Sequence, residues 1–103
     1  MKSQKTKKTT TQNTYELLLI IDPEKKENEV MKAVKKLIED FGFSIKSEDI
    51  WGLRTLAYII KKKNQGRYVV FYLETQSTQK VVELKKELRM NESIMRFVLV
   101  KGK

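Results

Sequence analysis

Apolar residues in this chain first form a short continuous run, typical of a buried strand, and then recur with the period of a helix. Residues 15–21, YELLLII, form a short apolar run that ends at Asp22-Pro23, and we predict a buried strand there. From about Glu24 the spacing becomes helical, and Gly42 supplies the left-handed residue that commonly ends a helix. The apolar stripe of this predicted helix consists of Val30, Met31, Val34, Leu37, Ile38 and Phe41.

A composition typical of strands returns after the first helix. Residues 43–62 are rich in strand-forming side chains, and Gly52 within them is expected to mark a bulge or a bend. Residues 64–66, NQG, have the composition of a turn, and residues 67–74 have the pattern of another strand. The segment from Trp51 to Tyr72 therefore predicts a hairpin that is apolar on both faces, with a lysine triplet at its bend.

A second helix and a last strand complete the chain. N-cap oxygens are expected from Thr75, Ser77 and Thr78. Val81, Leu84 and Leu88 form the apolar spine of the helix, which residues 91–93 interrupt before a closing strand over residues 94–100.

This order of elements predicts an α+β, ferredoxin-like β-α-β-β-α-β domain over residues 15–101. Right-handed crossovers place both helices on one face of a four-stranded antiparallel sheet, with the first and third strands in the centre. Residues 1–14 contain four lysines, no acidic residue and no apolar residue after Met1, so we predict a disordered basic tail.

The charge and composition favour an anionic partner and exclude several kinds of chemistry. The chain has 22 Lys+Arg against 13 Asp+Glu, a net charge of +9, which favours nucleic acid or an anionic surface. It has no cysteine and no histidine, which removes disulfides, Cys/His zinc sites and histidine acid–base catalysis. No apolar run approaches the roughly 20 residues that span a bilayer.

The acidic residues offer no catalytic pair. Phosphatases on a similar fold bind their anion in a glycine-rich loop between the first strand and the first helix, where this chain has the acidic Asp22-Pro23-Glu24. No phosphate-binding or dinucleotide-binding motif is present. We therefore expect no enzyme activity, no cofactor, no metal site and no small-molecule substrate.

The sheet face away from the helices is expected to carry apolar side chains. If Leu17, Leu19 and Ile21 face the helices, their neighbours face outward, and the opposite register also leaves apolar residues outward. An antiparallel sheet with two apolar faces indicates a partner on the open face. The residues expected to bind a protein partner are Leu18, Ile20, Tyr68, Val70 and Tyr72.

The same topology occurs in the RNA-recognition module, but its third-strand motif is absent. Arg67 and Val69 stand where that module has aromatic residues, and Tyr68 stands where it has a small one. Protein docking is therefore favoured for the tyrosines, with base stacking by Tyr68 and Tyr72 as the alternative. The residues expected to contact RNA are Arg54, Lys61, Lys62, Lys63, Arg67, Arg89 and Arg96.

Ordered motifs across residues 14–101 resemble the bacterial small-subunit ribosomal protein six family. They are Tyr15-Glu16, Asp22-Pro23, Asp40-Phe41-Gly42, residues 51–58 (WGLRTLAY), Ile60-Lys61-Lys62, Gly66-Arg67-Tyr68, residues 84–92 (LKKELRMNE) and Ile94-Met95-Arg96-Phe97. Two features depart from the family pattern. The family often has proline where Ile59 stands, and its members usually start close to the first strand, without the lysine-rich tail of this chain.

The resemblance implies a structural role in the cytoplasmic small ribosomal subunit. Members of the family bind the central domain of small-subunit (16S) ribosomal RNA together with ribosomal protein eighteen (bS18), with which they form a heterodimer. Two other hypotheses remain open at this point: a free-standing single-stranded RNA binder or repressor, and a self-associating module.

Overall fold

The computed structural model describes residues 13–76 and 78–102. Within these ranges no helix is long and apolar enough to cross a membrane. The expected tail falls almost entirely outside them, as does Ser77, and the first strand begins two residues before the predicted start. The elements are β1 (Asn13–Ile21), α1 (Glu27–Asp40), β2 (Ser44–Ile60), β3 (Lys63–Thr75), α2 (Lys80–Met90) and β4 (Ile94–Lys101).

The four strands form one antiparallel sheet in the order β2-β3-β1-β4. The two most apolar strands, β1 and β3, lie in the centre, as predicted. In their register Leu17 lies opposite Phe71, and Leu19 lies opposite Val69. These four side chains expose no measurable surface, so they form the helix-facing side of the sheet. The predicted α+β, ferredoxin-like fold is confirmed.

The first helix packs the apolar stripe that its sequence period predicts. Val30, Met31, Val34 and Ile38 are buried against the sheet, while Leu37 and Phe41 pack at the margin of the core. Two backbone hydrogen bonds close the end of α1. The Phe43 N–H donates to the Ile38 carbonyl at 3.1 Å, and the Gly42 N–H donates to the Glu39 carbonyl at 3.0 Å.

This pair of bonds is a Schellman motif, and it requires a left-handed residue at position 42. Gly42 has a φ of +85°, a conformation that costs glycine little. The predicted helix stop is therefore confirmed.

The start of α2 differs from the prediction. Its N-cap residue is Gln79, which makes no side-chain capping hydrogen bond. Thr75 is instead the last residue of β3, and its hydroxyl donates to the Gly42 carbonyl at 3.1 Å. The N-cap role expected for Thr75 is therefore wrong, because β3 is longer than predicted and its last hydroxyl binds the loop after α1.

The turn between β2 and β3 also differs from the prediction. Ile60 pairs with Lys63, so the turn consists of Lys61 and Lys62, which have φ values of 49° and 66°. The predicted turn at residues 64–66 is wrong, since those residues belong to β3. The bulge expected near Gly52 is confirmed: the register shifts between Ile50 and Gly52, and Gly52 has a φ of +88°.

A second irregularity folds the end of this hairpin over the sheet. Thr55 pairs with Gln65 and Ile60 with Lys63, so four residues of β2 oppose Asn64 alone. The excess length turns Leu56 and Ile60 onto the sheet face opposite the helices. There they form a small second core with Ile20, Met95 and Tyr68.

Candidate nucleic-acid and protein interface

We call the sheet surface opposite the helices the outer face. Cross-strand pairing places its side chains in rows that run across the sheet. One row contains Tyr72, Glu16 and Val100, and the next contains Val70, Leu18 and Val98. Tyr72, Val98 and Val100 expose 37%, 46% and 48% of their surfaces. We call Leu18, Tyr72, Val98 and Val100 the apolar half of the outer face, which also contains the exposed carboxylate of Glu16.

The residues predicted for protein binding differ in how accessible they are. Tyr72 is exposed and Leu18 is half-buried, so both offer surface to a partner. Ile20 and Val70 each expose 7%. Ile20 is covered by the hairpin end, through Leu56 and Ile60, which the sequence did not indicate. Direct contact between a partner and Ile20 or Val70 would therefore involve little of either side chain.

Aromatic and arginine side chains occupy the other end of the outer face. The Trp51 ring stacks on Tyr68 with an interplanar angle of 5° and a centroid distance of 5.9 Å. The Trp51 indole N–H donates to Oδ2 of Asp49 at 3.0 Å, and the Arg54 guanidinium carbon lies 5.7 Å from the Trp51 ring centroid. Tyr68 is consequently half-buried beneath Trp51, and the exposed aromatic surface here belongs to Trp51.

A second arginine–aromatic pair lies across the sheet. Tyr58, from the folded-over hairpin end, accepts a hydrogen bond from Nη1 of Arg96 at 2.5 Å. The Arg96 guanidinium carbon also lies 5.4 Å from the Tyr58 ring centroid. We call Trp51, Arg54, Tyr58, Tyr68 and Arg96 the aromatic half of the outer face.

Three of the predicted RNA contacts line one groove beside the aromatic half. Lys61 from the hairpin turn, Arg89 from the end of α2 and Arg96 from β4 surround a cavity of about 230 Å³. The Arg89 guanidinium carbon lies 6.0 Å from the Phe97 ring, which also lines the groove. None of the lining residues is acidic: they are Lys61, Leu88, Arg89, Ile94, Met95, Arg96 and Phe97. The groove has the charge of an anion site.

Lys63 differs from the other two lysines of the triplet. Its Nζ lies 2.8 Å from Oε2 of Glu24 and 3.7 Å from Oδ1 of Asp22. The hydrogen bond to Glu24, followed by the charges of both carboxylates, raises the pKa of Lys63 above its ordinary value. Lys63 therefore neutralises the acidic β1–α1 loop and has less charge available for a phosphate.

Arg67 and Lys62 lie apart from the groove. Arg67 pairs across the sheet with Ile21 and Leu53 and is directed to the helix side, where its Nε is buried without a hydrogen-bond partner among the described residues. Lys62 is exposed in the hairpin turn. The seven predicted cations therefore occupy several sites: Lys61, Arg89 and Arg96 share one groove, and Arg54 lies beside Trp51.

The prediction overlooked Trp51, Tyr58, Val98 and Val100. Applying the two-residue period to β4 would have placed Val98 and Val100 outward with Leu18. The Trp51-Gly52 pair indicated the position of Trp51 only weakly, because a glycine bulge redirects neighbouring side chains. Nothing in the sequence indicated that Tyr58 reaches Arg96. In the described ranges no group of three or more acidic residues could hold a metal ion.

Comparisons of sequence with known proteins agree on one family. The profile of the Ribosomal protein S6 family matches residues 14–101. Small ribosomal subunit protein bS6 of Paenarthrobacter aurescens is 44% identical over 91 residues, covering 84% of this chain and 88% of that protein. The bS6 protein of Pseudarthrobacter chlorophenolicus is 45% identical over 85 residues, covering 80% and 83%.

Comparisons of structure support the same conclusion. The crystal structure of 30S ribosomal protein S6 from Thermotoga maritima superposes with a TM-score of 0.81 at 33% identity, covering 88% of each chain. The C-terminal domain of MgtC from Mycobacterium tuberculosis shares the fold alone, with a TM-score of 0.65 at 12% identity. From its sequence motifs, its sheet order and these relatives, we conclude that the chain belongs to the Ribosomal protein S6 family of the small ribosomal subunit.

Proposed function

We propose that this protein is a non-catalytic component of the bacterial small ribosomal subunit, in the cytoplasm, where it binds 16S ribosomal RNA together with bS18. The observation that carries the proposal is the division of the outer face. One half is apolar, and the other combines arginines with aromatic rings beside a cationic groove. A surface of this kind suits a protein that joins another protein to RNA.

The apolar half supplies the docking surface for bS18. Val98 and Val100 expose nearly half of their surfaces beside Tyr72 and Leu18. Exposing apolar surface to water has a free-energy cost. Exposed apolar side chains grouped on one face of a small protein usually mark a contact surface, although here the exposed Glu16 lies between Tyr72 and Val100. Covering them with bS18 would remove that cost and supply a hydrophobic driving force for the heterodimer.

The groove of Lys61, Arg89 and Arg96 supplies the RNA contact. The two arginines can each grip a phosphate with paired hydrogen bonds, whereas Lys61 acts as a point charge. Each phosphate neutralised adds about 0.7 to the log–log salt slope on single strands and about 0.9 on duplex. RNA affinity should therefore fall steeply as salt rises.

A free-standing RNA binder that stacks bases on Tyr68 and Tyr72 is the alternative. Trp51 already covers one side of Tyr68, so the two tyrosines do not offer equivalent platforms. Replacing both tyrosines by leucine separates the two functions. Loss of base stacking would cost about 1–3 kcal/mol per base, whereas an apolar docking surface would lose less.

Purification of small ribosomal subunits from the native organism tests the main claim. Quantitative mass spectrometry should find this protein at about one copy per subunit after high-salt washing. Its absence from washed subunits would contradict the proposal. A purely self-associating module would instead show concentration-dependent dimers by sedimentation without RNA.

The role of bS18 is tested by measuring RNA affinity with and without it. We expect the heterodimer to bind a central-domain fragment of 16S RNA more tightly than either protein alone, because the two contribute one composite surface. Equal affinities in the presence and absence of bS18 would remove bS18 from the proposal and leave direct RNA binding.

A further inference from the structure

We propose that Trp51 and Arg54 form a stacking site for one unpaired RNA base, with the base on the Trp51 ring and its phosphate on Arg54. This inference rests on the proposed RNA-binding function and adds a residue that the basic groove does not contain. It differs from stacking by the tyrosines, because the base would lie on the ring that covers Tyr68.

The backbone presents the Trp51 ring to solvent. Trp51 occupies the bulge of β2, where the register shifts before Gly52, a residue with a φ of +88°. Bulges often occur next to functional sites, where they redirect a side chain. As a result Trp51 exposes 43% of its surface on an edge strand instead of packing into a core.

Neighbouring residues fix the orientation of the exposed ring. Tyr68 stacks beneath it at an interplanar angle of 5°, and Asp49 accepts the indole N–H at 3.0 Å. A ring held on two sides loses little conformational entropy on binding. Because its N–H is already bonded to Asp49, Trp51 offers a partner stacking without a further hydrogen-bond requirement.

The adjacent charge favours RNA over protein as the occupant. Arg54 is exposed, and its guanidinium lies over the Trp51 ring, 5.7 Å from the centroid. A base that stacks on the ring would displace the guanidinium, which then remains close enough to bind the phosphate of that base. The net charge of +9 attracts the RNA backbone generally. Arginine beside an aromatic platform is the usual arrangement for single-stranded nucleic acid, whose unpaired bases expose their π faces.

The chain contains one tryptophan and four tyrosines, so fluorescence excited at wavelengths that only tryptophan absorbs reports on this site alone. We would titrate the full chain with a labelled single strand of ten adenosines, following anisotropy of the label and emission of Trp51, with a duplex of equal charge as control. We expect the single strand to quench Trp51 emission as it binds. We expect the duplex to bind through phosphates with little quenching.

Substitutions provide the second readout. Trp51→Leu should weaken single-strand binding about tenfold, within the range for losing one stacked base, and Trp51→Phe should restore most of the affinity. Arg54→Ala should weaken binding severalfold. Leu53→Ala is the matched control, because Leu53 is exposed on the opposite side of the same strand and should not affect affinity.

Three outcomes would overturn the proposal and can be told apart. Single-strand binding with unchanged emission and an unaffected Trp51→Leu variant would exclude the stacking site but leave RNA binding intact. Shielding of Trp51 from acrylamide by bS18 without RNA would make it a protein contact instead. If the wild-type chain bound no RNA, both this site and direct RNA binding would be excluded. Membership of the small subunit would still be decided by mass spectrometry.

Discussion

Three successive lysines at the hairpin turn have different environments. Lys61 lines the cationic groove, whereas Lys63 is bound to Glu24 and Asp22. We expect Lys61→Met to reduce the log–log salt slope of RNA binding by about 0.7 to 0.9, the value for one lost phosphate contact. Lys63→Met should leave the slope unchanged. Equal slopes for the two variants, measured by anisotropy at several salt concentrations, would contradict these assignments.

The ion pairs of Lys63 also predict a pH dependence. The folded pKa of Lys63 lies above its ordinary value of 10.5, so its ion pairs contribute stability at pH values below that, and the contribution is lost as pH rises through the folded pKa. Wild type should therefore be more stable than Lys63→Met from neutral pH to about pH 10, with the gap closing at higher pH. Urea unfolding at each pH measures the difference. A gap that widens above pH 10 would exclude this role.

Gly66 is required by a close approach rather than by a turn. A Cβ atom at this position would lie 2.5 Å from Cγ2 of Ile20, a branch methyl that cannot swing away. We expect Gly66→Ala to cost about 1–3 kcal/mol of unfolding free energy by overpacking. Ile20→Leu removes that methyl, so the same glycine substitution in an Ile20→Leu background should cost less. Additive effects in urea unfolding would contradict the clash.

At the scale of elements, the two-residue turn of the hairpin is strained. Lys61 and Lys62 both have positive φ, where asparagine and glycine are preferred. We expect the double change Lys61→Asn, Lys62→Gly to raise the unfolding free energy by about 1 kcal/mol or more and to weaken RNA binding. Lys62→Gly alone is the control, because it relieves strain while keeping Lys61. A double variant with undiminished RNA affinity would exclude Lys61 from the contact.

The elements show which parts of the fold local sequence determines. Gly42 and the α1 stripe were predictable, because one helix period and one left-handed residue specify them. The position of the β2–β3 turn was not predictable, because strand pairing places it at two lysines. Gly66 indicated a turn in the sequence, but in the structure it allows close packing against Ile20. The N-cap expected at Thr75 failed for a related reason, as pairing extends β3 through that residue.

At the scale of the whole molecule, the sequence predicted which side chains of the central strands point outward. It did not predict that the outer face has an apolar half and an aromatic half. Alternation along β1 and β3 placed Leu18 and Tyr72 outward. However, the folded-over hairpin end covers Ile20 and brings Tyr58 to Arg96. Both features depend on the three extra residues of β2 opposite Asn64, which only the pairing register reveals. The basic residues of the hairpin lie close together in the sequence. In the structure, however, Arg67 is on the helix side of the sheet and Arg54 is on the outer face.

The division of the outer face is the central claim, and the affinity for bS18 tests it most directly. By isothermal titration, Val98→Asp should weaken bS18 binding at least tenfold, because a charge would be buried in an apolar contact. Arg54→Ala, in the aromatic half, should change it less than about twofold, as should Val82→Asp, the same kind of change on the exposed side of α2. A bS18 affinity that is unchanged by Val98→Asp, or that falls as far with Arg54→Ala, would contradict the division of the outer face.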